Sequence, residues 1–487
     1  IKPLAYLINF SFSSGIFPDQ IKLSKAVPIY KKSDKLDIQN YRPVAIGNSF
    51  SKVFEYGMLD RLLKFLDKYN ILTSNQHGFR STRSTQSAIY SVYNEILSCF
   101  ETGKSSVGIF CDLSRAFDCV NHELLIAKLE RYGIRGSPLQ WFISYLKHRY
   151  QFVEISFNSN AYKSKFTSSK LHFDICVPQG SILGPILFLL FVNDLPNYLK
   201  SNFFCMYADD TSVVVNGNNS LNVELKCNEM LKDLKTWFDS NMLFLNLNKT
   251  GFIHFQCSRN KIVDALKINF QSQELSNWQS TKFLGVIFDE YLTWIPHCNK
   301  LISALNTCCY QIRVLRSLID QDTLLSFYYS QIESRLSYGI CFWGSGSMIN
   351  DVFISQKRVV RCIAGVDRRT SCRAYFVNFK LLTVCGLYFM KLLELVHSNI
   401  LDFNKNSDYH SYDTRFKDDL TIPLHHLSAV GRTHKVLGLK LYNSLPGDIR
   451  TTKCLRKFRK SVKNILIQIC PYTCEEARVA LLALNNR

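Results

Sequence analysis

The stretch Phe204–Gly217, FCMYADDTSVVVNG, sets two adjacent acids, Asp209 and Asp210, between two runs of aromatic and β-branched residues. Such runs suit pleated, half-buried strands, so the acids are predicted at the tip of a hairpin. Their charges repel there, and a cation, a special role or plain solvent must make that tolerable. Asp is also a common turn residue, so this stretch alone reads equally well as a polar turn.

A third acid, Asp112, ends VGIFCD (107–112), which reads as a short buried strand. A carboxylate at a strand end with no base beside it is costly unless it faces solvent or a cation. If that strand and the hairpin are neighbours in one sheet, three carboxylates converge. Hard oxygen ligands of this kind suit Mg²⁺. Two such ions, about 3.5–4 Å apart, can activate an attacking oxygen and stabilise a leaving one in phosphoryl transfer. The composition agrees. The chain carries 59 Lys and Arg against 39 Asp and Glu, a formal net charge of +20. That excess favours a polyanionic partner, either nucleic acid or an anionic membrane surface. The apolar run ILFLLFV (186–192) is far too short to span a bilayer, and no signal peptide is recognisable. No membrane partner is therefore expected, and a nucleic-acid polymerase or nuclease is.

The chain has 487 residues, 47% of them hydrophobic, enough for about two to four domains. It starts at Ile1, which reads as a piece of a longer protein. Its 17 Cys are scattered, often in apolar runs, and read as buried thiols of a reducing compartment. Cys470 and Cys474 lack the partners of a zinc knuckle, so no structural zinc is expected. AVPIYKK (26–32) and YRPVAI (41–46) read as two short strands, with Pro28 and Pro43 suited to sheet edges. Ala88, Ile89, Val92, Tyr93, Ile96, Leu97 and Phe100 form one helical stripe, with Ser84 or Thr85 as its N-cap. VPQGSILGPILFLLFVNDLP is a loop entering a buried helix. Strands and helices alternate to about Asp289. Helices dominate beyond, and 404–423 is polar and looks like a linker.

Several segments together resemble the reverse transcriptase of non-LTR, jockey-like or LINE-like, retrotransposons. FCDLSRAFDCVNH resembles motif A, VPQGSILGPILFLLFVNDLP motif B, YADD motif C, NKTGFIHF motif D and KFLGVIFD motif E. AVPIYKKSDKLDIQNYRPVAIGNSFSKVFE and NQHGFRSTRST resemble the fingers. The match runs in the family's order from about Gly15 to Asp289. It implies an α+β right-hand polymerase. Fingers and palm would occupy 11–289, with fingers mainly 11–105 and palm, with an antiparallel sheet, mainly 106–289. A helical thumb-like region would occupy 290–400, and a linker with a basic C-terminal region 401–487. The implied reaction extends a DNA 3′-hydroxyl with dNTPs on an RNA template, assisted by two Mg²⁺, with Mn²⁺ as a substitute. RNA template, DNA primer or target, and dNTP are the implied partners. The implied setting is intracellular, a ribonucleoprotein of nucleus and cytoplasm. The family's N-terminal endonuclease is not in this stretch, so the chain is not expected to cut its target. Two rivals stand beside this reading: an inactive or repurposed RNA-binding remnant, and a group II intron-type reverse transcriptase or maturase.

The resemblance assigns metal binding to Asp112, Asp209 and Asp210, with Asp112 and Asp209 in the main ligand roles and the Leu113 carbonyl available to complete a site. Phe117, five residues after Asp112, matches the aromatic that lies under the incoming sugar and excludes a 2′-hydroxyl; the alternative is a core Phe. Asp118 beside it reads as a helix cap or solvated acid. Lys31, Lys32 and Arg42 resemble the basic groups that grip the triphosphate. Strand alternation points Lys31 and Lys32 to opposite faces, so only one should reach the nucleotide. Gln179 and Gly180 match the pair that packs under the templating base pair and the primer. Cys176 stands where the family usually has Gly. Lys249 is either a general acid for the leaving pyrophosphate or a solvated Lys before a turn. Arg80 and Arg83 are expected to contact template or stabilise the fingers. Lys357, Arg358 and Arg361 are expected on the duplex backbone. The run Lys453–Lys463 is either a further contact or a solvated helix face.

Overall fold

The computed structural model describes residues 2–32, 34–158, 163–199, 203–257, 265–409 and 416–486. Its order begins α1 (Lys2–Ser14), β1 (Ser24–Tyr30), β2 (Tyr41–Ile46), α2 (Ser49–Lys68), α3 (Thr85–Glu101) and β3 (Ser105–Cys111). Then come α4 (His122–Arg131), α5 (Ser137–Leu146), β4 (Arg149–Asn158), β5 (Lys163–Thr167), β6 (Leu171–Phe173) and α6 (Gly184–Val192). The hairpin β7 (Phe203–Tyr207) and β8 (Asp210–Gly217) follows, then a helix over Ser220–Ser240 and β9 (Gly251–Phe255). A further hairpin pairs Ser280–Phe283 with Val286–Asp289, and the regular elements described beyond it are helices. The fold class is α+β.

Five strands make the central sheet, in the order Ser276–Asn277, β9, β3, β8, β7. β3 runs antiparallel to both β8 and β9. Its side chains alternate between two cores, as the period of a strand requires. Val107, Ile109 and Cys111 join the core of α4, α5, α6 and the Ser220–Ser240 helix. Phe110 joins a second core with α3 and the C-terminal helices. Val213 and Val215 divide from Val214 in the same way. This two-sided burial explains why TSVVV carries no polar alternation beyond its first residues. The predicted stripe of α3 is wholly buried, and Ser84 is its N-cap, with Ser87 completing a capping box.

A second sheet has the order β2, β1, β4, β5, with β6 beside β4. β2 is an edge strand, as Pro43 suggests. β1 is interior, but β4 pairs only with Ser24–Ala26, so Pro28 lies beyond that ladder and faces Pro43. The missing amides are tolerated because this pair exchanges no hydrogen bonds: Lys31 N donates to Asn40 O, which sets the alternation.

The second core runs on through the helices Ile295–Leu315, Ile349–Ala364, Val384–Ser398 and Leu455–Ile469. The polar stretch 404–423 differs from the expected linker. Asn404–Ser407 pairs back onto Lys417–Thr421, and Leu420 is buried. Residues 410–415 of that expectation lie outside the described residues. Among the described residues, no helix is long and apolar enough to cross a membrane.

Candidate active site

The β7–β8 hairpin closes on a two-residue turn, Ala208-Asp209, between the paired residues Tyr207 and Asp210. Ala208 is left-handed, at φ 56°. Cys111 of β3 lies opposite Thr211 of β8. Asp112 therefore follows β3 at the same sheet end at which Asp210 begins β8. Burial pushes the Asp209 carboxyl up and its own backbone amide pulls it back. Asp112 then pushes it up again, and Arg42 and Lys31 pull it down. Asp210 is pushed up to about 6, by burial first and then by Asp209 and Asp112. The three acids thus share one electrostatic environment.

They do not form a closed cage. Among the described residues, no group of three or more His, Cys, Asp or Glu side chains stands together so as to hold an ion. The cation at Asp112 is instead the Lys249 ammonium, 2.9 Å from Oδ2. Lys249 is thus solvent-exposed and still paired at the site. The donor set nevertheless fits a hard divalent cation, because it offers anionic oxygens that raise one another's proton affinity. Next to it, Leu113 pairs with Leu245. Asn246 N donates to Asp112 O and Ser114 N to Phe244 O. In that alternation Leu113 is the unbonded position, and its own carbonyl points away from 244–246.

The charges on the second sheet face the acids. Ile29 lies opposite Arg42, so Lys31 and Arg42 share a face of the β1–β2 ribbon and Lys32 takes the other. Lys31 and Arg42 both act on Asp209, and with Ile29 and Val44 they line an open hollow. A second hollow, beside Asp112, Asp210 and Lys249, is floored by Trp278 and Lys282.

The loop before α6 is held from three sides. Gln179 O accepts from Ala45 N of β2 at 2.7 Å, and Gln179 Nε2 donates to Asp118 at 2.9 Å. Asp118 is therefore neither a helix cap nor a solvated acid. Burial raises its carboxyl, and the Gln179 bond opposes that rise. Gly180 has φ +118°, and a Cβ there would stand 2.5 Å from Ala45 O, so only glycine fits. Glu55, 2% exposed, accepts from Ile182 N at 2.7 Å and from Leu183 N at 3.4 Å. Cys176 sits at φ 89°, a conformation that favours glycine. His122 Nε2 on its carbonyl and the Val120 carbonyl on its amide hold it there. Phe117 lies on the short turn Ala116–Cys119, stacked on Phe188 at 4.6 Å and only partly buried.

Several of the other expected nucleic-acid contacts make bonds or ring contacts within the fold. Arg80 Nη1 donates to Thr73 O at 2.7 Å, and burial lowers its guanidinium. Arg83 lies beside it, partly buried, where its charge helps to lower the pKa of His77. Arg361 Nε donates to Thr370 O at 2.8 Å. Lys357 lies over the Phe353 and Tyr472 rings, at 4.6 and 5.3 Å. Arg358 is exposed. In the basic run, the Leu455–Ile469 helix buries Phe458, Val462 and Leu466. Arg459 pairs with Glu394, and Lys463 lies over the Tyr329 ring. Lys453, Arg456, Lys457 and Lys460 remain exposed. Gln76 and Glu55 carry no signal in their local sequence, because each acts on a segment far along the chain.

Residues 29–288 match the family model described as reverse transcriptase (RNA-dependent DNA polymerase). The chain is 27% identical over 378 residues to the RNA-directed DNA polymerase from mobile element jockey of Drosophila melanogaster, covering 74% of this chain and 40% of that protein. It is 28% identical over 383 residues to the probable RNA-directed DNA polymerase from transposon BS of the same organism, with the same coverage. The matches thus span about 40% of the length of these curated relatives. The solved telomerase of Candida albicans with a fragment of telomeric RNA overlays at a TM-score of 0.38 and 14% identity, over 95% of this chain and 70% of that one.

Proposed function

The chain belongs to the reverse transcriptase (RNA-dependent DNA polymerase) family, and on that premise we propose that it extends a DNA 3′-hydroxyl with dNTPs on an RNA template, as the polymerase part of a non-LTR retrotransposon protein. The observation that carries this is the convergence of Asp112, Asp209 and Asp210 at one sheet end, faced by Lys31 and Arg42. The finer reading takes the β1–β2 ribbon as fingers, the central sheet as palm and the helices after Asp289 as thumb. We keep boundaries of mainly 11–105, mainly 106–289 and 290–400, although β4, β5 and β6 join the sheet of the β1–β2 ribbon, and Leu420, Leu439, Phe458 and Leu481 beyond them share the core of the preceding helices.

Asp112 and Asp209, with Asp210 and the Leu113 carbonyl, would hold the divalent ions. When bound, Mg²⁺ would supply the charge that makes the primer oxygen a nucleophile and neutralises the leaving pyrophosphate. The chain's own groups do the rest. Lys31 and Arg42 hold the triphosphate, Arg by two parallel bonds and Lys as a point charge. Phe117 lies under the sugar, and Gln179 and Gly180 hold the loop beneath the new base pair. The primer oxygen bonds to the α-phosphorus as the α–β phosphoanhydride bond breaks. Lys249 Nζ gives the leaving pyrophosphate its proton. Arg358 and the exposed face of Lys453, Arg456, Lys457 and Lys460 are the groups left for nucleic-acid phosphates.

The test is extension of a DNA primer on an RNA template by the purified chain. Asp209→Asn keeps the side chain's shape and removes its charge, so extension should vanish. Extension at the wild-type rate in that variant would remove the metal assignment.

A further inference from the structure

The loop 75–78 lies against the outer edge of β7, far in sequence from the acids it adjoins. Met206 N donates to Asn75 O at 2.9 Å and His77 N to Met206 O at 2.8 Å, so the loop acts as a short extra strand. Within it Gln76 is 1% exposed. Its Oε1 accepts from Ala208 N at 3.0 Å and from Gly78 N at 2.8 Å. Its Nε2 reaches Ala208 O at 3.5 Å, a much weaker contact. One carboxamide thus holds the backbone of the residue that turns the hairpin.

That turn needs a hold from outside. Ala208 is left-handed, where glycine or asparagine is at ease and alanine is not. The next two residues are acids that repel each other and Asp112. A carboxamide oxygen has two lone pairs, and both are used here on amides that would otherwise be buried without partners. The fit is close, since a Cβ on Gly78 would stand 2.4 Å from Ala208 N. His77 Nδ1 lies 2.8 Å from Ser87 Oγ, which ties the loop to the start of α3. The loop is therefore anchored on a buried helix and not only on the hairpin.

We propose that Gln76 is a positioning residue for the acidic hairpin: through the Ala208 amide it sets where Asp209 and Asp210 stand. The inference rests on the polymerase reading for its kinetic consequence, but its structural consequence does not depend on that reading. The test uses the full chain with Gln76→Leu, which keeps bulk and loses both acceptor bonds, and Gln76→Glu, which keeps the acceptor. Two measurements are made: hydrogen–deuterium exchange across 203–210 in metal-free protein, and extension kcat against template–primer Kd. Gln76→Leu should exchange faster at 203–210 and lose kcat by about 100-fold, as misplaced catalytic groups do, with Kd within about twofold. Gln76→Glu should keep wild-type protection there. Wild-type exchange and kcat in a folded Gln76→Leu protein would make Gln76 mere filling and overturn the proposal. If Gln76→Leu does not fold, lost protection at 203–210 in Gln76→Glu overturns it, and retained protection supports it. No extension activity in the wild-type chain, together with these exchange changes in the variants, would sink the polymerase reading and leave the positioning role standing.

Discussion

The Lys249 ammonium sits 2.9 Å from the Asp112 carboxylate, so the turn before β9 is tied to the end of β3 by an ion pair at the candidate site. On the proposed reading, this pair sets the proton donor for the pyrophosphate against a carboxylate that would hold the metal. Lys249→Met removes the proton source without much change in bulk. Its kcat for extension should fall about 100-fold, within the usual range for a lost general acid, with the dNTP KM nearly unchanged. Binding of Mn²⁺ to the protein alone, read by electron paramagnetic resonance, should tighten because the competing ammonium is gone. Unchanged kcat together with unchanged Mn²⁺ binding would reduce Lys249 to a surface ion pair.

Burial of the acids, and then crowding among them, has a cost in the metal-free protein. The Asp210 carboxyl is pushed up to about 6 from an ordinary 3.8. The folded state therefore holds its proton more tightly than the unfolded chain does, and ionising Asp210 destabilises the fold above about pH 6. Asp210→Asn removes that cost. Asp210 is exposed on one side, so screening trims the gain to about 1 kcal/mol, or about 1–2 °C in Tm. Calorimetry in chelator at pH 8 should show the gain, and it should disappear as pH falls through about 6 towards 4. A variant less stable than wild type at pH 8 would contradict a cost from burial and repulsion.

The acids were legible in the sequence because a hairpin and a strand end are local objects. The face of the β1–β2 ribbon was not. Alternation separates Lys31 from Lys32, but only the register that sets Ile29 opposite Arg42, and the nearness of that face to Asp209, shows which one shares a face with Arg42 and acts on Asp209. The bonds that Lys357, Arg361 and Arg80 make inside the fold were hidden for a different reason. Net charge counts cations without showing which are spent on carbonyls and rings inside the fold. Gln76 and Glu55 escaped notice because their partners lie 132 and 127 residues away. The departure at Cys176 was visible, and its meaning required the backbone: the chain keeps a glycine-like φ of 89° there without a glycine.

That strain gives a prediction. Cys176→Gly should relieve a left-handed cost of about 1–2 kcal/mol. Part of this is offset by the greater freedom of the unfolded chain, about 0.4–1 kcal/mol. A small net gain is expected, about 1 °C in Tm, with extension unimpaired. A clear loss of stability would mean that the backbone bonds from His122 and Val120 hold this conformation without strain.

Arg42 is exposed on the ribbon face that looks towards Asp209. Arg42→Ala should raise the dNTP KM about tenfold or more, the usual weight of a lost charged hydrogen bond, while template–primer Kd changes little. Titrating dNTP and template–primer separately checks this. An unchanged KM with weakened template binding would reassign Arg42 to the template.

Phe117 decides sugar choice if the polymerase reading is right. Its ring rests on Phe188 at 4.6 Å and keeps part of its surface free, which a fully packed core Phe would not. Its turn is held at two adjacent residues. Val177 N donates to Phe117 O at 2.9 Å, and Gln179 holds Asp118. The ring is therefore placed by the loop that, on that reading, underlies the new base pair, and the turn follows shortly after Asp112 at the end of β3. Phe117→Val shortens the side chain, losing about 1 kcal/mol of ring stacking but no bond to the nucleotide. The effect should appear as a gain in kcat/KM for rNTP, with dNTP incorporation largely kept, because that ratio measures discrimination. Incorporation of rNTP and dNTP is compared on one RNA template, and the Tm of the variant is measured beside it. Equal loss of both substrates, in step with a lowered Tm, would make Phe117 a packing residue whose removal loosens the floor of the site.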